Sequence, residues 1–205
     1  KQKTAYEIMP SLVGSEMCIR DSTHREDTMA QEENLNGLPR EKLTEVLESF
    51  RDPEVFNAVT GPWKSRVVWQ GGMRAKAYMR NHVAEMDEPG DLTATDVAAS
   101  AHEQLLSAMG SCITVGYIVN ATKRGVRVHD LEIAVDGYFD NIRKWAGVED
   151  EGNPGYGRIS AKAFVRADAD EETLRDIFRL AVEGSPVTQT IQHANEVDTE
   201  LEVIG

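Results

Sequence analysis

Cysteine is scarce in this chain: there are two in 205 residues, Cys18 and Cys112. Two thiols are too few for a disulfide framework, and a reducing cytosol is the expected compartment. Positive charge is also in deficit. Lys and Arg number 22 against 35 Asp and Glu, a formal net charge of -13. A surface this acidic repels phosphate backbones and anionic lipid, so neither nucleic acid nor a membrane surface is an expected partner. Long charge-free apolar runs are missing, so no spanning helix is expected. No internal repeat is visible. What remains is a hydrophobic fraction of 40%, enough for one domain with a core of ordinary size and an N-terminal extension.

The first residues need separate treatment. Tyr6 to Ser22 resembles translated sequencing-adapter read-through, and it carries Cys18. Residues 1–28 are therefore expected to be a non-native and disordered segment, with Met29 the first plausible natural start. Residues 23–37 are polar and aperiodic, which predicts disorder. Residues 29–61 form an N-terminal extension, and residues 62–205 form the main domain.

Within the extension, Leu43, Val46, Leu47 and Phe50 recur at helical spacing and predict an amphipathic helix over 39–50. Another turn or two follows through Val55, Phe56 and Val59. Arg66–Trp69 reads as a strand, Gly71-Gly72 as a turn, and Met73–Asn81 as a half-buried strand, which together make a hairpin. His82–Met86 can continue as a further strand, and residues 87–94 form a loop. Asp96 predicts an N-cap for a helix from about Val97 to Arg124, with Gly125 as the stop and a break near Ser100–His102 as an equal option. Strict alternation predicts strands over 126–139 and 156–167, joined by a loop with Trp145 as its anchor. Asp168 or Asp170 caps a helix over 170–183. Ser185-Pro186 opens a short one, and residues 197–204 close as a strand. The order β-hairpin, long apolar helix, two strands, helix, strand reads as α+β with antiparallel sheet, not as a doubly wound parallel fold.

Three residues are candidates for chemistry. Cys112 sits mid-helix among Leu, Ile, Val and Met, where a thiol is ordinarily a small core hydrophobe. Ser107, Gly110, Ser111 and Gly116 make this helix stretch small-faced, so another element approaches closely. A reactive thiol needs a nearby cation, and a mid-helix position gains little from the dipole. Glu103 lies nine residues upstream. At 100° per residue that is the opposite side of a straight helix, about 13 Å along its axis. Either the helix begins after Glu103, or Glu103 acts through a bridging arginine; alternatively it is a first-turn carboxylate favoured by the dipole. Arg74 follows the Gly71-Gly72 turn, and Arg66 is the other arginine of the hairpin. The histidines have no metal-ligand spacing, since His102-Glu103 lacks the partner of a His-Glu-x-x-His motif. No phosphate loop or nucleophile elbow is present. No metal or cofactor is expected.

Five motifs resemble the OsmC/Ohr family of thiol-dependent peroxidases. They are Trp69-Gln-Gly-Gly-Met-Arg74, Met86-Asp-Glu-Pro89, Glu103 to Gly116 with Cys112, Asn153-Pro-Gly-Tyr156, and Ser185-Pro-Val-Thr-Gln-Thr190. The resemblance covers about residues 62–204. It implies an OsmC-like fold, with antiparallel sheets wrapped around two central helices in an intertwined homodimer. It places the family's reactive cysteine on Cys112, its carboxylate on Glu103 and its arginine on Arg74, with active sites at the subunit interface. The family's second cysteine falls on Ser185, which cannot resolve a sulfenic acid, and family members often carry proline where Ala99-Ser-Ala-His102 stands. Two readings follow. One is a one-cysteine reductase of organic hydroperoxides that needs an external thiol reductant. The other is a non-catalytic dimer that binds an apolar small molecule in the interface cleft.

Overall fold

The computed structural model describes residues 34–204, so the readings of residues 1–28, including Cys18 and Met29, lie outside the described residues. The described chain opens with a small hairpin, β1 (Asn34–Leu35) and β2 (Leu38–Pro39). Asn36 and Gly37 both take positive φ, 57° and 76°, as a two-residue turn between twisted strands requires. Residues 34–37 are therefore ordered, contrary to the disorder expected from their composition. The cause is tertiary. The Asn36 amide donates to Thr122 Oγ1 at 3.0 Å and to the Val126 carbonyl at 2.9 Å, and it accepts from Val128 N at 2.8 Å. Next come α1 (Arg40–Ser49) and α2 (Pro53–Thr60), neither with a buried residue.

A three-stranded antiparallel sheet follows: β3 (Arg66–Trp69), β4 (Ala75–Met79) and β5 (His82–Met86), in that order. The expected hairpin is present, but its second strand begins at Ala75. Met73 belongs to the turn and is exposed, because Gly71 and Gly72 with positive φ hold residues 70–74 in a closed loop.

The central helix is α3 (Ala101–Arg124). Asp96 does not cap it; its φ of 53° places it in a left-handed bend. Ser100 is the cap. Its hydroxyl accepts from Glu103 N, and the Glu103 carboxylate accepts from Ser100 N at 2.8 Å and from Ser100 Oγ at 3.0 Å. This reciprocal arrangement satisfies two otherwise orphaned donors, which a lone Asp at 96 cannot do. Gly125 ends the helix with φ 74°, and Arg40 donates to the Lys123 carbonyl at 2.9 Å. α3 is long and apolar enough to cross a membrane by length and composition alone, a test that core helices also pass. In this fold its buried face is a core face.

β6 (Val128–Phe139) and β7 (Tyr156–Ala167) form a two-stranded antiparallel ribbon, and α4 (Ile142–Trp145) lies in the loop between them. Trp145 does not anchor that loop, since 48% of it is exposed. α5 (Glu171–Glu183) is capped by Asp170, and α6 (Pro186–Gln192) by Ser185. The core is Met109, Ile113, Tyr117 and Ala121 of α3 with Val126, Ile177 and Ala181, and Leu131, Ile133, Val135, Ile159 and Val165 pack around it. Close approach explains two small residues. A Cβ on Gly110 would stand 3.2 Å from Val135, and one on Gly116 would stand 3.3 Å from the Ala181 backbone. Residues 197–204 form no strand. Their apolar members Val197, Leu201, Val203 and Ile204 are exposed, and the segment pairs with none of the described strands.

Candidate functional site

Cys112 is the free thiol of the described chain, and it is half-buried midway along α3. At 100° per residue it stands 40° from Gly116, the residue that meets α5, and 160° from Gly110, which meets β6. It therefore lies on the flank of the helix that turns away from the ribbon. Glu103 is in the first turn, so the helix does not begin after it. The two residues lie on opposite sides of one helix, and no direct contact joins them. One oxygen of the Glu103 carboxylate is committed to the capping box.

Arg74 leaves the Gly71-Gly72 turn half-buried, with its Nη2 3.8 Å from Glu85 Oε2. Lys76 holds the other oxygen of Glu85 at 2.9 Å, and that bond, ahead of its charge, keeps the Glu85 carboxyl below the ordinary range. Arg66 lies over the Tyr78 ring at 6.0 Å. Among the described residues of one chain, no hydrogen bond or ion pair links Arg74, Glu103 and Cys112.

Ser185 is 2% exposed, and its hydroxyl accepts from Thr188 N at 3.1 Å and from Thr188 Oγ1 at 2.9 Å. At the position where the resemblance implies a second cysteine, this chain has a buried helix cap.

Two features were given no chemical role by the sequence, although Asp87 and Tyr156 lie in motifs that carry the resemblance. The first is Asp87, buried at 1% exposure. Its carboxylate accepts from Thr95 Oγ1 at 2.5 Å, from Glu88 N at 2.9 Å and from Val97 N at 3.2 Å. The Thr95 hydroxyl is the largest cause holding its carboxyl below the usual range, and the Arg74 charge adds to the effect. The second is an aromatic cluster at the N-terminal end of α3. His102 meets the edge of Phe139 at 5.1 Å, and Phe139 stacks on Tyr156 at 4.5 Å. At Gly137 a Cβ would stand 2.6 Å from the Tyr156 ring, so a larger residue would displace that ring. Burial, and then the charge of Glu103, push the Tyr156 hydroxyl up. A groove of about 620 Å³ runs from Glu103 along Ser107, Gly110 and Thr114, walled by Ile133 and Val135. Cys112 does not line it. Among the described residues no group of three His, Cys, Asp or Glu side chains is arranged to hold a metal ion.

A long central helix laid across an antiparallel ribbon, preceded by a three-stranded sheet and followed by two helices, is a fold shared with solved structures. An OsmC-like protein from Mycoplasma pneumoniae superposes with a TM-score of 0.56 at 16% identity, over 64% of this chain and 88% of that one. An OsmC-like protein of unknown function from Vibrio cholerae gives 0.53 at 11% identity, over 63% and 93%. A putative osmotic stress induced and detoxification response protein from Psychrobacter arcticus gives 0.52 at 19% identity, over 63% and 88%. No curated protein sequence matches this chain. The family model for OsmC-like protein matches residues 94–200, more than half of the chain, and the chain belongs to that family.

Proposed function

We propose that this protein reduces organic hydroperoxides through Cys112 in a one-cysteine cycle. The observation that carries the reading is a single half-buried thiol, mid-way along the central helix, inside the span that matches the family. The Cys112 thiolate attacks one peroxide oxygen, the O–O bond breaks, and the leaving alkoxide takes a proton to become an alcohol. Cys112 is left as a sulfenic acid. An external thiol condenses with it, releasing water and forming a mixed disulfide. A second external thiol then frees Cys112 and leaves as a disulfide. Ser185 has no sulfur and takes no part. Arg74 supplies the cation a mid-helix thiolate needs, and Glu103 restrains that arginine. Because one chain keeps these groups apart, the reading requires a second copy of the chain to complete the site, in a reducing cytosol.

A second reading is a dimer that binds an apolar small molecule without redox chemistry. It is favoured by the groove beside Ile133 and Val135 and by the buried cap at Ser185.

The test is intact mass and peptide mapping of the full chain, treated with a slight excess of cumene hydroperoxide and a sulfenic-acid trap. Mapping separates Cys112 from Cys18, and Cys112→Ser is the control. Rapid trapping at Cys112, faster than with hydrogen peroxide, is the expected outcome. An untouched Cys112, under conditions that oxidise a free model thiol, sinks the peroxidase reading and leaves the binding dimer.

A further inference from the structure

The negative charge of this chain is unevenly spread. Residues 55–84 hold five cations, Lys64, Arg66, Arg74, Lys76 and Arg80, and no acid; all 35 Asp and Glu lie outside them. That stretch runs from α2 through β3 and β4 into β5. The net charge of -13 averages over this segregation. Repulsion from anionic lipid therefore describes the rest of the surface and not this part of it.

Strand register sorts the β3–β5 sheet into two faces. Arg66, Tyr78 and Val83 make one row across the three strands, and Val68, Lys76 and Glu85 make the next. Directly opposed residues share a face, as do residues two apart along a strand. The opposite face carries the row Val67, Ala77 and Ala84, where Ala77 is buried. One face is thus apolar, whereas the other mixes cations with the exposed Tyr78 and Val83.

The cations at the Arg66 end of the mixed face are held by rings. Arg66 lies over the Tyr78 ring and Arg80 over the Trp63 ring, each at 6.0 Å. Trp63 Nε1 donates to the Val59 carbonyl at 3.1 Å, which fixes the indole while 76% of the residue stays exposed. Among the described residues Lys64, Arg66 and Arg80 form no ion pair, whereas Arg124, Arg143, Arg166 and Arg175 each hold a carboxylate. Glu85 brings the one negative charge to the two rows, and Lys76 holds it at 2.9 Å.

Exposed rings beside unpaired Arg and Lys suit a lipid headgroup boundary, where rings settle at the interface and cations meet anionic headgroups. A protein hot spot instead buries its anchors in a pocket of matching shape. The groove along α3 is lined by none of these residues.

We propose that the Arg66–Tyr78–Val83 face of this sheet, with Trp63, Lys64 and Arg80 beside it, docks on an anionic lipid bilayer. Nothing in this depends on Cys112, so it stands apart from the peroxidase reading.

The test is co-sedimentation of the full chain with vesicles of phosphatidylglycerol and phosphatidylcholine in equal parts, against vesicles of phosphatidylcholine alone. Wild type is expected to bind the anionic vesicles at low salt, to leave them as ionic strength rises, and to ignore the neutral ones. Arg66→Gln and Arg80→Gln should each weaken binding about fivefold, the effect of one cation near such a surface, and the double variant about 25-fold. Arg66→Lys and Arg80→Lys keep the charge and should keep the binding. Arg143→Gln, in the β6–β7 loop, should bind as wild type, and Tm checks that each variant is folded. Absence of binding to anionic vesicles at low salt overturns the proposal, as does equal binding to neutral ones, or Gln variants that bind like wild type. Loss of binding to excess soluble glycerol 3-phosphate would make the face a phosphate site and overturn the bilayer. Displacement by an equimolar peptide of residues 196–204, whose acids alternate with apolar residues, would assign the face to an acidic protein segment and overturn it too.

Discussion

Asp87 and Ser185 are two small polar residues whose burial sets their roles. Ser185 caps α6 from the interior, so its hydroxyl is spent on Thr188. Asp87 is more sensitive to solution conditions because it is ionised. Its folded-state pKa is lowered, first by the Thr95 hydroxyl. A lowered carboxylate pKa contributes stability that is complete above the unfolded value, near 3.8, and is lost as pH falls through the lower folded value. Wild type should therefore exceed Asp87→Asn in stability at neutral pH, and the gap should close as pH drops below about 4. Urea midpoints of the two proteins across that range check this, and a gap independent of pH would contradict it.

At the scale of elements, α3 carries two demands at its first turn. Glu103 caps the helix with Ser100, and in the proposed function it also restrains Arg74. The two roles separate by substitution. Glu103→Gln keeps an oxygen that can accept from Ser100 N but removes the charge. It should stay within about 1 kcal/mol of wild-type stability by thermal unfolding, the scale of a helix cap, while trapping at Cys112 falls. Unchanged trapping would leave Glu103 as a helix cap alone. The sequence holds that cap as Ser-x-x-Glu before an apolar run, but Asp96, expected as the N-cap, lies in a bend outside the helix. Local sequence did not reveal that residues 96–99 are drawn away by Val97 N bonding to Asp87.

The whole molecule leaves much apolar surface uncovered. Trp63 is 76% exposed, Trp69 74% and Val115 63%, and the tail 197–204 pairs with none of the described strands. In the proposed function a second copy of the chain covers part of this surface. Light scattering of the full chain is expected to give twice the mass of one chain. A monomer that still traps peroxide at Cys112 would contradict the need for a second copy.

Sequence by itself determined most of the elements from residue 39 to 192 and some of their ends. The β3 and β7 bounds, the Gly125 stop, the Ser185 cap and the placing of Cys112 on a small-faced helix all follow from periodicity and local hydrogen bonding, whereas the choice of Asp170 over Asp168 as a cap came from the structure. The five motifs carried the family as well. Tertiary structure alone decided which groups meet. It ordered residues 34–37 through Asn36, set Arg74 near Glu85, buried Asp87, and left the tail unpaired. Those outcomes depend on register between distant strands and on which polar groups lose water, and neither is encoded in the spacing of neighbours along the chain.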